Sequence, residues 1–458
     1  MKPSRQRTTL AVATLTSFMG PFLISSVNIA LPDIQQAFGV DVVMLSWIAT
    51  AYLLSVAAVL VPAGKIADQW GRTRVFALGL AILAVASFGS AMAPSVKILI
   101  ATRILQGMGA AMVVTTGMPI LIAVYPPEKR GRVIGLYVAA VYLGLSIGPL
   151  VGGLLTQHGS WRLIFIAVVP LNVLALIMTL RYLPREPAVA GKQPFDIPGT
   201  LLYATSLVML VYGASRLPAA MAWALIACGA AGLFGFVLWE LRAPFPVFEV
   251  RLFASNRVFA FSSLAALINY SATFAVTFLL SLYFQYIQSF PPQSAGMVLM
   301  AQPVVQALFS PLAGRLSDRI EPAILASLGM AITAAGLLAL TVLTQTTSLA
   351  YILGVLIALG MGFALFSSPN MNAIMSAIDQ RHHGIASVVV ATMRMLGQMT
   401  SMAMATLVFA LVIGPREIEP ALYPQFLTSV RLCFIISSCL CLSGVFFSVY
   451  RGRLRGTV

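Results

Sequence analysis

The chain has 458 residues, of which 59% are hydrophobic and only 9% are charged. Soluble domains usually carry about 25% charged residues, so a soluble fold of this length could not bury so much apolar surface. The net charge of +15 would suit a nucleic-acid partner, but the basic residues stand in short clusters between apolar runs. This arrangement is typical of an integral membrane protein, whose partner is the lipid bilayer and not a nucleic acid.

Apolar runs long enough to cross a bilayer occur fourteen times along the chain, since a spanning helix needs about 20 apolar residues. The first run follows MKPSRQR and lacks an early small-residue cleavage site, so we predict an uncleaved first span instead of a signal peptide. The predicted spans are 9–32, 43–63, 74–93, 96–124, 131–156, 161–182, 197–214, 219–240, 257–284, 294–313, 323–343, 348–370, 384–412 and 427–450.

The basic residues indicate how these spans are oriented. An even number of spans places both termini on one side. Twenty-one of the 28 Lys and Arg residues then fall in segments on that side and five on the other, while Arg103 and Arg394 lie within spans. Because cytoplasmic loops carry the excess of basic residues, both termini are predicted to be cytoplasmic. We expect a multi-pass protein of the plasma membrane, specifically the cytoplasmic membrane of a prokaryote.

The chain contains an internal repeat. GKIAD at 64–68 recurs as GRLSD at 314–318, and GMG at 107–109 recurs at 360–362, with nearly the same offset and in helices of the same direction. Two parallel halves of six helices would give this pattern, with the two remaining spans between them. The predicted domains are 1–182 as the first six-helix bundle, 183–256 as linkers with two additional helices, and 257–458 as the second bundle.

A charged loop, GKIADQWGRTR at 64–74, follows the second span. A carboxylate at Asp68 can face the positive end of a neighbouring helix or pair with an arginine, and such a contact can exist in only one gate state. The alternative is a polar loop that only carries cytoplasmic positive charge. The residues predicted for this gating loop are Gly64, Asp68, Gly71, Arg72 and Arg74, with Gly314 and Asp318 as their repeats.

The fourth span contains RILQGMGAA, residues 103–111. Arg103 lies roughly 12 Å from the outer helix end by helical rise. A charged residue at this depth is costly and usually functional, so Arg103 is a candidate functional residue, together with Gln106 and Gly107 of the same stretch. The alternative is that the arginine snorkels to the outer interface or binds backbone carbonyls.

The fifth span reads GLSIGPLVGG, residues 144–153. Gly144, Gly148 and Gly152 recur every four residues and form one smooth face, while Pro149 and Gly153 soften the helix. By itself such spacing indicates tight helix packing.

These stretches resemble known signatures of the major facilitator superfamily: 64–74 its cytoplasmic loop, 103–111 its helix 4 in proton-coupled members, and 144–153 its antiporter motif. Together with ALP at 30–32, SWRLIF at 160–165 and Arg394 with Gly397, the whole chain is similar to the fourteen-span drug:proton antiporter family. The resemblance implies an all-α major facilitator fold, a monomer without cofactor, and drug efflux in exchange for protons. It also implies that the stretch 144–153 of helix 5 packs against the other half and closes the path.

One expected residue is missing. Many members of that family place a proton-coupling aspartate five residues before the asparagine of helix 1, and here the position is Leu23, before Asn28. None of the thirteen acids lies in the middle of a predicted span. Asp33, at the outer end of helix 1, is either a proton-accessible site or a surface residue.

Polar and aromatic side chains within the spans are candidates for a central substrate cavity, because a lipid-facing amide is unfavourable. They are Asn28, Tyr52, Tyr142, Asn269, Tyr270, Gln302, Gln306, Asn370, Arg394 and Gln398. The four cysteines all lie inside apolar runs without metal-site spacing, so no metal is expected.

The leading prediction is therefore a secondary transporter that exports small amphipathic, drug-like compounds by alternating access. The missing midplane acid favours an alternative, a uniporter or exporter of one metabolite or lipid without proton coupling. A non-transporting receptor on the same fold is a remote alternative. The chain has no GxxxxGK[ST] loop and no catalytic residue set, so neither ATP hydrolysis nor enzymatic activity is expected. A neutral helix 1 with Arg103 and Arg394 favours neutral or anionic substrates.

Overall fold

The computed structural model describes residues 3–183, 195–378 and 383–452, and within them it is almost entirely helical, with no strand. Fourteen helical segments of this described part are long and apolar enough to span a membrane. The predicted all-α architecture and the number of spans are thus confirmed. Residues 184–194 of the predicted linker lie outside the described part, and the predicted domain boundaries stay a prediction.

Six long helices form the first part of the chain. They are α1 Pro3–Phe38, α2 Val42–Trp70, α3 Arg72–Ala91, α4 Val96–Val124, α5 Pro127–His158 and α6 Arg162–Tyr182. Helix α1 is longer than predicted and continues to Phe38 through Pro32, so Asp33 lies inside this helix and does not cap it. An apolar run marks only the part of a helix that meets lipid, and α1 continues past that part.

A central pair of helices comes next, α7 Ile197–Ser215 and α8 Ala220–Arg242. The helices after this pair are α9 Arg251–Ser255, α10 Arg257–Thr273, α11 Ala275–Leu282, α12 Pro292–Leu299, α13 Ala301–Ser317, α14 Pro322–Ala339, α15 Leu349–Ser376, α16 His383–Val412 and α17 Tyr423–Tyr450. The ninth span consists of α10, α11 and a π-helical turn at Tyr283–Ile287, and the tenth consists of α12 and α13.

Local chemistry explains where several helices begin and end. Asp41 accepts a hydrogen bond from the backbone N of Met44 at 2.8 Å and so caps α2. Gly71 ends α2 with a φ of 98°. Residues with a side chain rarely adopt this conformation, so the sharp turn between α2 and α3 depends on glycine.

The helices pack in two groups. In the first group, α1 packs against α4, α5 and α6, while α4 also packs against α2 and α3. In the second group, α10 packs against α15, α16 and α17, while α15 also packs against α13 and α14. The central helices α7 and α8 pack against each other, and α7 contacts both α2 and α16. Helix α7 therefore lies beside the junction of the two groups.

The internal repeat is visible in these contacts. A Cβ added at Gly107 would lie 2.5 Å from the carbonyl oxygen of Tyr52, and one added at Gly360 would lie 2.6 Å from that of Gln302. The α2–α4 and α13–α15 contacts are therefore equivalent backbone approaches, at the offset found in the sequence. Two further contacts repeat in this way. Gly109 lies against Gly79 as Gly362 lies against Gly329. Gly144 lies against Phe22 as Gly397 lies against Ser271.

A Gly107→Ala substitution tests this packing. The added methyl group would overlap the Tyr52 carbonyl oxygen, so we expect a loss of about 1–3 kcal/mol, as in other overpacked sites, and a lower unfolding temperature. Gly135→Ala in α5 is the matched control, because nothing lies within 4 Å of a Cβ there. Equal unfolding temperatures for the two purified variants would contradict the close approach of α2 and α4.

Candidate functional site

The two groups of helices meet on the side of the molecule away from the chain termini, which we call the distal side. There α1 contacts the end of the ninth span. Ser281 donates a hydrogen bond to the carbonyl oxygen of Asn28 at 2.8 Å, and Gln285 donates to that of Ile29 at 2.9 Å. The hydroxyl of Tyr286 donates to the side-chain oxygen of Gln35. Polar side chains thus join the two groups around the last third of α1.

Two more helix pairs complete this contact. Thr406 of α16 donates a hydrogen bond to the hydroxyl of Ser46 in α2 at 2.9 Å. His158 of α5 lies 3.2 Å from the side-chain oxygen of Gln293 in α12. We call the contacts of α1, α2 and α5 with α11, α12, α16 and the π-helical turn the distal seal. They close the distal side of any path between the two groups.

The predicted antiporter motif has two faces in the structure. The repeated glycines face α1 of their own group: a Cβ at Gly144 would lie 3.1 Å from the Phe22 nitrogen, and one at Gly152 2.7 Å from Ser26 Cα. Gly148 likewise allows Ser26 Oγ to donate to its carbonyl oxygen at 2.8 Å. The smooth face of the motif thus packs within its own group, because residues four apart lie on one side of the helix.

The other face of α5 does reach the second group. A Cβ at Gly153 would lie 2.5 Å from the carbonyl oxygen of Pro292 in α12. In return, Gly296 of α12 lies directly against the carbonyl oxygen of Pro149. The second half of the motif, shifted by one residue around the helix, therefore forms the α5 part of the distal seal.

The loop at 64–74 shows a local ion pair. Arg72 Nη2 lies 3.1 Å from Asp68 Oδ1, and both side chains are partly exposed, at 38% and 55%. An exposed pair of this kind contributes little to stability, about 0–1 kcal/mol. Gly64 has no neighbour near its Cβ position, and Arg74 is exposed at the start of α3. In the repeat, Gly314 and Asp318 stand at the end of α13.

Arg103 is buried within the first group of helices, at 1% exposure. Its Nε donates to the carbonyl oxygen of Ile48 at 3.1 Å, and its Nη1 donates to Gln106 Oε1 at 2.9 Å. The guanidinium lies 4.3 Å from the ring centre of Tyr52. Arg103 forms no ion pair in the described part of the chain. These contacts favour the interpretation that Arg103 binds backbone carbonyls and joins α4 to α2, over a functional role for its charge. They also place Tyr52 beside the arginine.

Leu23 lies on an apolar cavity inside the first group. The cavity has a volume of about 40 Å³ and is bordered by α1, α2, α3, α4 and α6. Met19, Leu80 and Val113 are among its lining residues, with Asn172 as a polar neighbour. A leucine here matches its surroundings, and no charged side chain borders the cavity. The position expected to hold a coupling acid is thus filled by ordinary core packing.

Asp33 lies near the distal seal. Its side chain is half-buried, and it interacts electrostatically with Tyr286, the residue that joins the ninth span to α1. Glu417 also interacts electrostatically with Tyr286. A change of charge at Asp33 would therefore be felt at a contact that closes the distal side.

Arg394 lies between the two groups, near the middle of α16. It interacts electrostatically with the hydroxyls of Tyr137 in α5 and Tyr270 in α10. Tyr142, one and a half turns further along α5, lies 3.4 Å from the hydroxyl of Ser367 in α15. We call Arg394, Tyr137, Tyr142, Tyr270 and Ser367 the arginine–tyrosine cluster. It brings together one cation and three phenols from helices of both groups.

Several polar atoms without a described hydrogen-bond partner belong to residues on the helices of this cluster, close to its members in sequence. In the described part of the chain, Arg394 Nε and Gln398 Oε1 on α16 have no hydrogen-bond partner. Both side-chain atoms of Asn269, which precedes Tyr270 on α10, are also buried without a partner. Buried polar groups are nearly always hydrogen-bonded, so these atoms indicate a place for water or a polar ligand. The amide oxygen of Asn28 is unpartnered as well, beside the distal seal.

Three other candidates lie elsewhere. Both polar atoms of the Asn370 side chain are hydrogen-bonded: its Nδ2 donates to the Ser262 carbonyl at 3.0 Å, and its Oδ1 accepts from Arg451 Nη1 at 2.9 Å. Asn370 therefore joins α10, α15 and the end of α17, and burial lowers the pKa of Arg451 to about 10. Gln302 and Gln306 lie on α13, where the backbone of Gln302 packs against Gly360.

Sequence reasoning missed two parts of this arrangement. Tyr137 and Ser367 were not named because a single tyrosine or serine in an apolar run carries no distinguishing signal. Arg451 was counted only as cytoplasmic charge, although it is 1% exposed. Its position directly after an apolar run gave no sign that α17 would bring it into the second group.

Comparison with known proteins agrees with this fold. The Major Facilitator Superfamily model matches residues 13–402 and, in a second match, residues 263–455. The riboflavin transporter RibZ of Clostridioides difficile (strain 630) is 28% identical over 454 residues, which are 96% of each chain. The methylenomycin A resistance protein of Bacillus subtilis (strain 168) is 30% identical over 410 residues, covering 88% of this chain and 87% of that protein.

Solved structures show the same architecture. A bacterial homologue of the human lysosomal transporter Spinster, in an inward-facing and unoccupied conformation, superimposes with a TM-score of 0.70 at 18% identity, covering 98% of this chain and 97% of that one. The xylose transporter XylE from E. coli, partially occluded and inward open, gives 0.68 at 13% identity, covering 99% and 100%. From the family match along the chain and this shared fold, the protein is a member of the Major Facilitator Superfamily of membrane transporters.

Proposed function

We propose that the protein is a secondary active exporter of small amphipathic organic compounds that works by alternating access of its two groups of helices. The observation that carries this proposal is the arginine–tyrosine cluster. It combines a cation, three phenols and adjacent amides between the groups, and in residues 3–183, 195–378 and 383–452 the cation has no ion pair and these amides keep polar atoms without a hydrogen bond. Such a mixture of aromatic surface and a few polar groups suits an amphipathic organic ligand. Resistance proteins among the relatives are consistent with export.

The distal seal supports alternating access. The basic residues favour a cytoplasmic position for both termini, so the distal side would face outward. The structure would then represent the state closed to the outside, from which the protein takes up its substrate on the cytoplasmic side. Opening would require the hydrogen bonds of α1, α2 and α5 to the second group to break.

Arg394 favours neutral or anionic compounds over permanent cations. In the described part of the chain no carboxylate pairs with it. A fixed positive charge between the groups attracts a carboxylate, phenolate or sulfonate of the substrate and repels a cation. The surrounding tyrosines would contact its aromatic part.

We further propose that export is coupled to protons through Asp33, the half-buried acid beside the distal seal. Protonation would remove its charge next to Tyr286 and thus alter a contact that exists only in the closed state. A second candidate is export or uniport of one metabolite or lipid without proton coupling. Leu23 on an apolar cavity favours this candidate, and the riboflavin transporter among the relatives is consistent with a single metabolite.

Arg394→Gln tests the substrate site. A hydrogen bond to a charged group contributes about 1.5–3 kcal/mol, so we expect roughly 10- to 100-fold weaker binding of an anionic amphipathic dye to the purified protein. Binding of a neutral analogue should change little, and Arg394→Lys should retain part of the affinity for the anion. Lys97→Gln, at the distal end of α4, is the control. Equal losses for both dyes would contradict a charge-specific role.

Gly153→Ala tests the distal seal. The added methyl group would overlap the Pro292 carbonyl oxygen and favour separation of α5 from α12. A cysteine introduced at Ser281, a buried residue of the seal itself, should then react faster with a membrane-impermeant maleimide added from outside. Gly135→Ala with the same cysteine controls for a general effect of alanine in α5. Unchanged labelling in the Gly153 variant would contradict the assigned position of the seal.

Asp33→Asn tests the coupling. In proteoliposomes, an imposed proton gradient should drive substrate transport by the wild type and no longer by this variant, while substrate exchange without a gradient persists. Asp41→Asn is the control, because asparagine also caps a helix and Asp41 lies on the same side. A wild type that exchanges substrate but ignores the gradient would favour the uncoupled candidate.

A further inference from the structure

A pair of carboxyl groups lies at the open end of the α7–α8 hairpin, outside the proposed transport path. Asp196 precedes α7 and caps it, accepting a hydrogen bond from the backbone N of Gly199 at 3.0 Å. The indole Nε1 of Trp239 in α8 donates to both Asp196 oxygens, at 3.1 and 3.0 Å. These donors hold the carboxylate of Asp196 in a fixed position between the two helices.

Glu240, the residue after this tryptophan, is fully buried, at 0% exposure. Its Oε2 accepts a hydrogen bond from the backbone N of Phe248 at 3.1 Å, which folds the segment 243–250 back onto α8. Its other oxygen, Oε1, has no donor in the described part of the chain. A buried carboxylate oxygen without a donor is unfavourable, because the charge loses its hydration without compensation.

The two carboxyl groups face each other across Gly199. A Cβ added to this glycine would lie 2.8 Å from Glu240 Oε1 and directly against Asp196 Oδ2. Because both oxygens lie against the same point on Gly199, the side chains of Asp196 and Glu240 are close enough to interact directly. Two oxygen acceptors at this distance repel unless a proton lies between them. Like charges that share a buried site cannot both ionise.

The neighbouring charged groups do not compensate the pair. Arg251 of α9 donates to the carbonyl oxygens of Leu241 at 3.0 Å and Ala243 at 3.5 Å. Arg242 follows on α8 at an exposed position, and Glu249 adds a further negative charge to the segment. Within residues 195–378, no lysine or arginine lies within ion-pair distance of Asp196 or Glu240.

We propose that Asp196 and Glu240 bind one proton between them, with Glu240 Oε1 as donor and Asp196 Oδ2 as acceptor. The proton ties the start of α7, the end of α8 and the segment leading to α10 into one unit. Loss of the proton to solvent leaves two facing carboxylates and breaks this connection. The stabilisation is therefore present at low pH and is lost as the pH rises.

The position of the hairpin gives the proton site a wider effect. Tyr203 of α7 donates a hydrogen bond to the carbonyl oxygen of Ala57 in α2 at 3.0 Å. Near the other end of α7, the rings of Tyr212 and Trp47 lie 6.1 Å apart. Helix α7 also contacts α16 of the second group. The pair thus stabilises the helix that packs across the junction of both groups, whether or not transport itself uses protons.

The test compares the thermal unfolding of the purified full-length protein at about pH 6 and about pH 9, since buried carboxyl groups are documented to keep a proton to about pH 8–9. In Glu240→Gln, the amide donates to Asp196 at both pH values. We expect the unfolding temperature of the wild type to fall by about 2–4 °C more than that of this variant over this range. Glu249→Gln removes the same charge from the same segment and should behave like the wild type.

Infrared spectroscopy provides a second readout that does not depend on unfolding. At neutral pH the wild type and Glu249→Gln should show the C=O stretch of a protonated carboxyl group, and Glu240→Gln and Asp196→Asn should lack it. The absence of this band from the wild type would overturn the proposal. An equal fall of the unfolding temperature in the wild type and Glu240→Gln would do the same.

Discussion

Close contact of helix backbones at glycine is the constraint on which this structure depends. Lipid is as apolar as a leucine side chain, so spanning helices gain little from burying apolar surface against each other and must associate by tight packing. Gly107 of α4 lies against α2, and Gly360 of α15 lies against α13. These are the same contact in the two groups. The glycines of α5 extend this packing along α1, and Gly153 extends it to the second group at the distal seal.

Charged side chains lie where these packed helices contact each other. Arg103 finds its hydrogen bonds inside the first group, with Ile48 and Gln106, and these bonds join α4 to α2. Among the residues that the structure describes, Arg394 has no such set of partners and lies among tyrosines of both groups, which is why we propose it as the cation that meets a ligand. Two arginines that are alike in sequence thus differ in their surroundings, because only one of them finds its hydrogen bonds within its own group.

The acidic residues, like the two arginines, differ in their surroundings. The sequence indicated that no acid lies in the middle of a span, and the apolar cavity at Leu23 explains how helix 1 packs without one. Asp33 belongs to α1 beside the seal, where its electrostatic contact with Tyr286 gives it the role we propose in coupling. Glu240 is buried against Asp196 at the end of the α7–α8 hairpin, so the proton we assign to this pair concerns the hairpin and not the path.

Hydropathy and short repeated motifs by themselves indicated the fourteen spans and the internal repeat, because length, apolar content and period are properties of the chain alone. The superfamily was indicated by the resemblance of its loop, helix 4 and helix 5 motifs. Only the tertiary structure decided which side chains contact each other. A shift of one residue, about 100° around the helix, separates the α5 glycines facing α1 from Gly153 facing α12, and the neighbouring helices set which face meets which partner. The grouping of Arg394 with Tyr137, and of Glu240 with Asp196, joins residues far apart in sequence, where no local pattern can indicate contact.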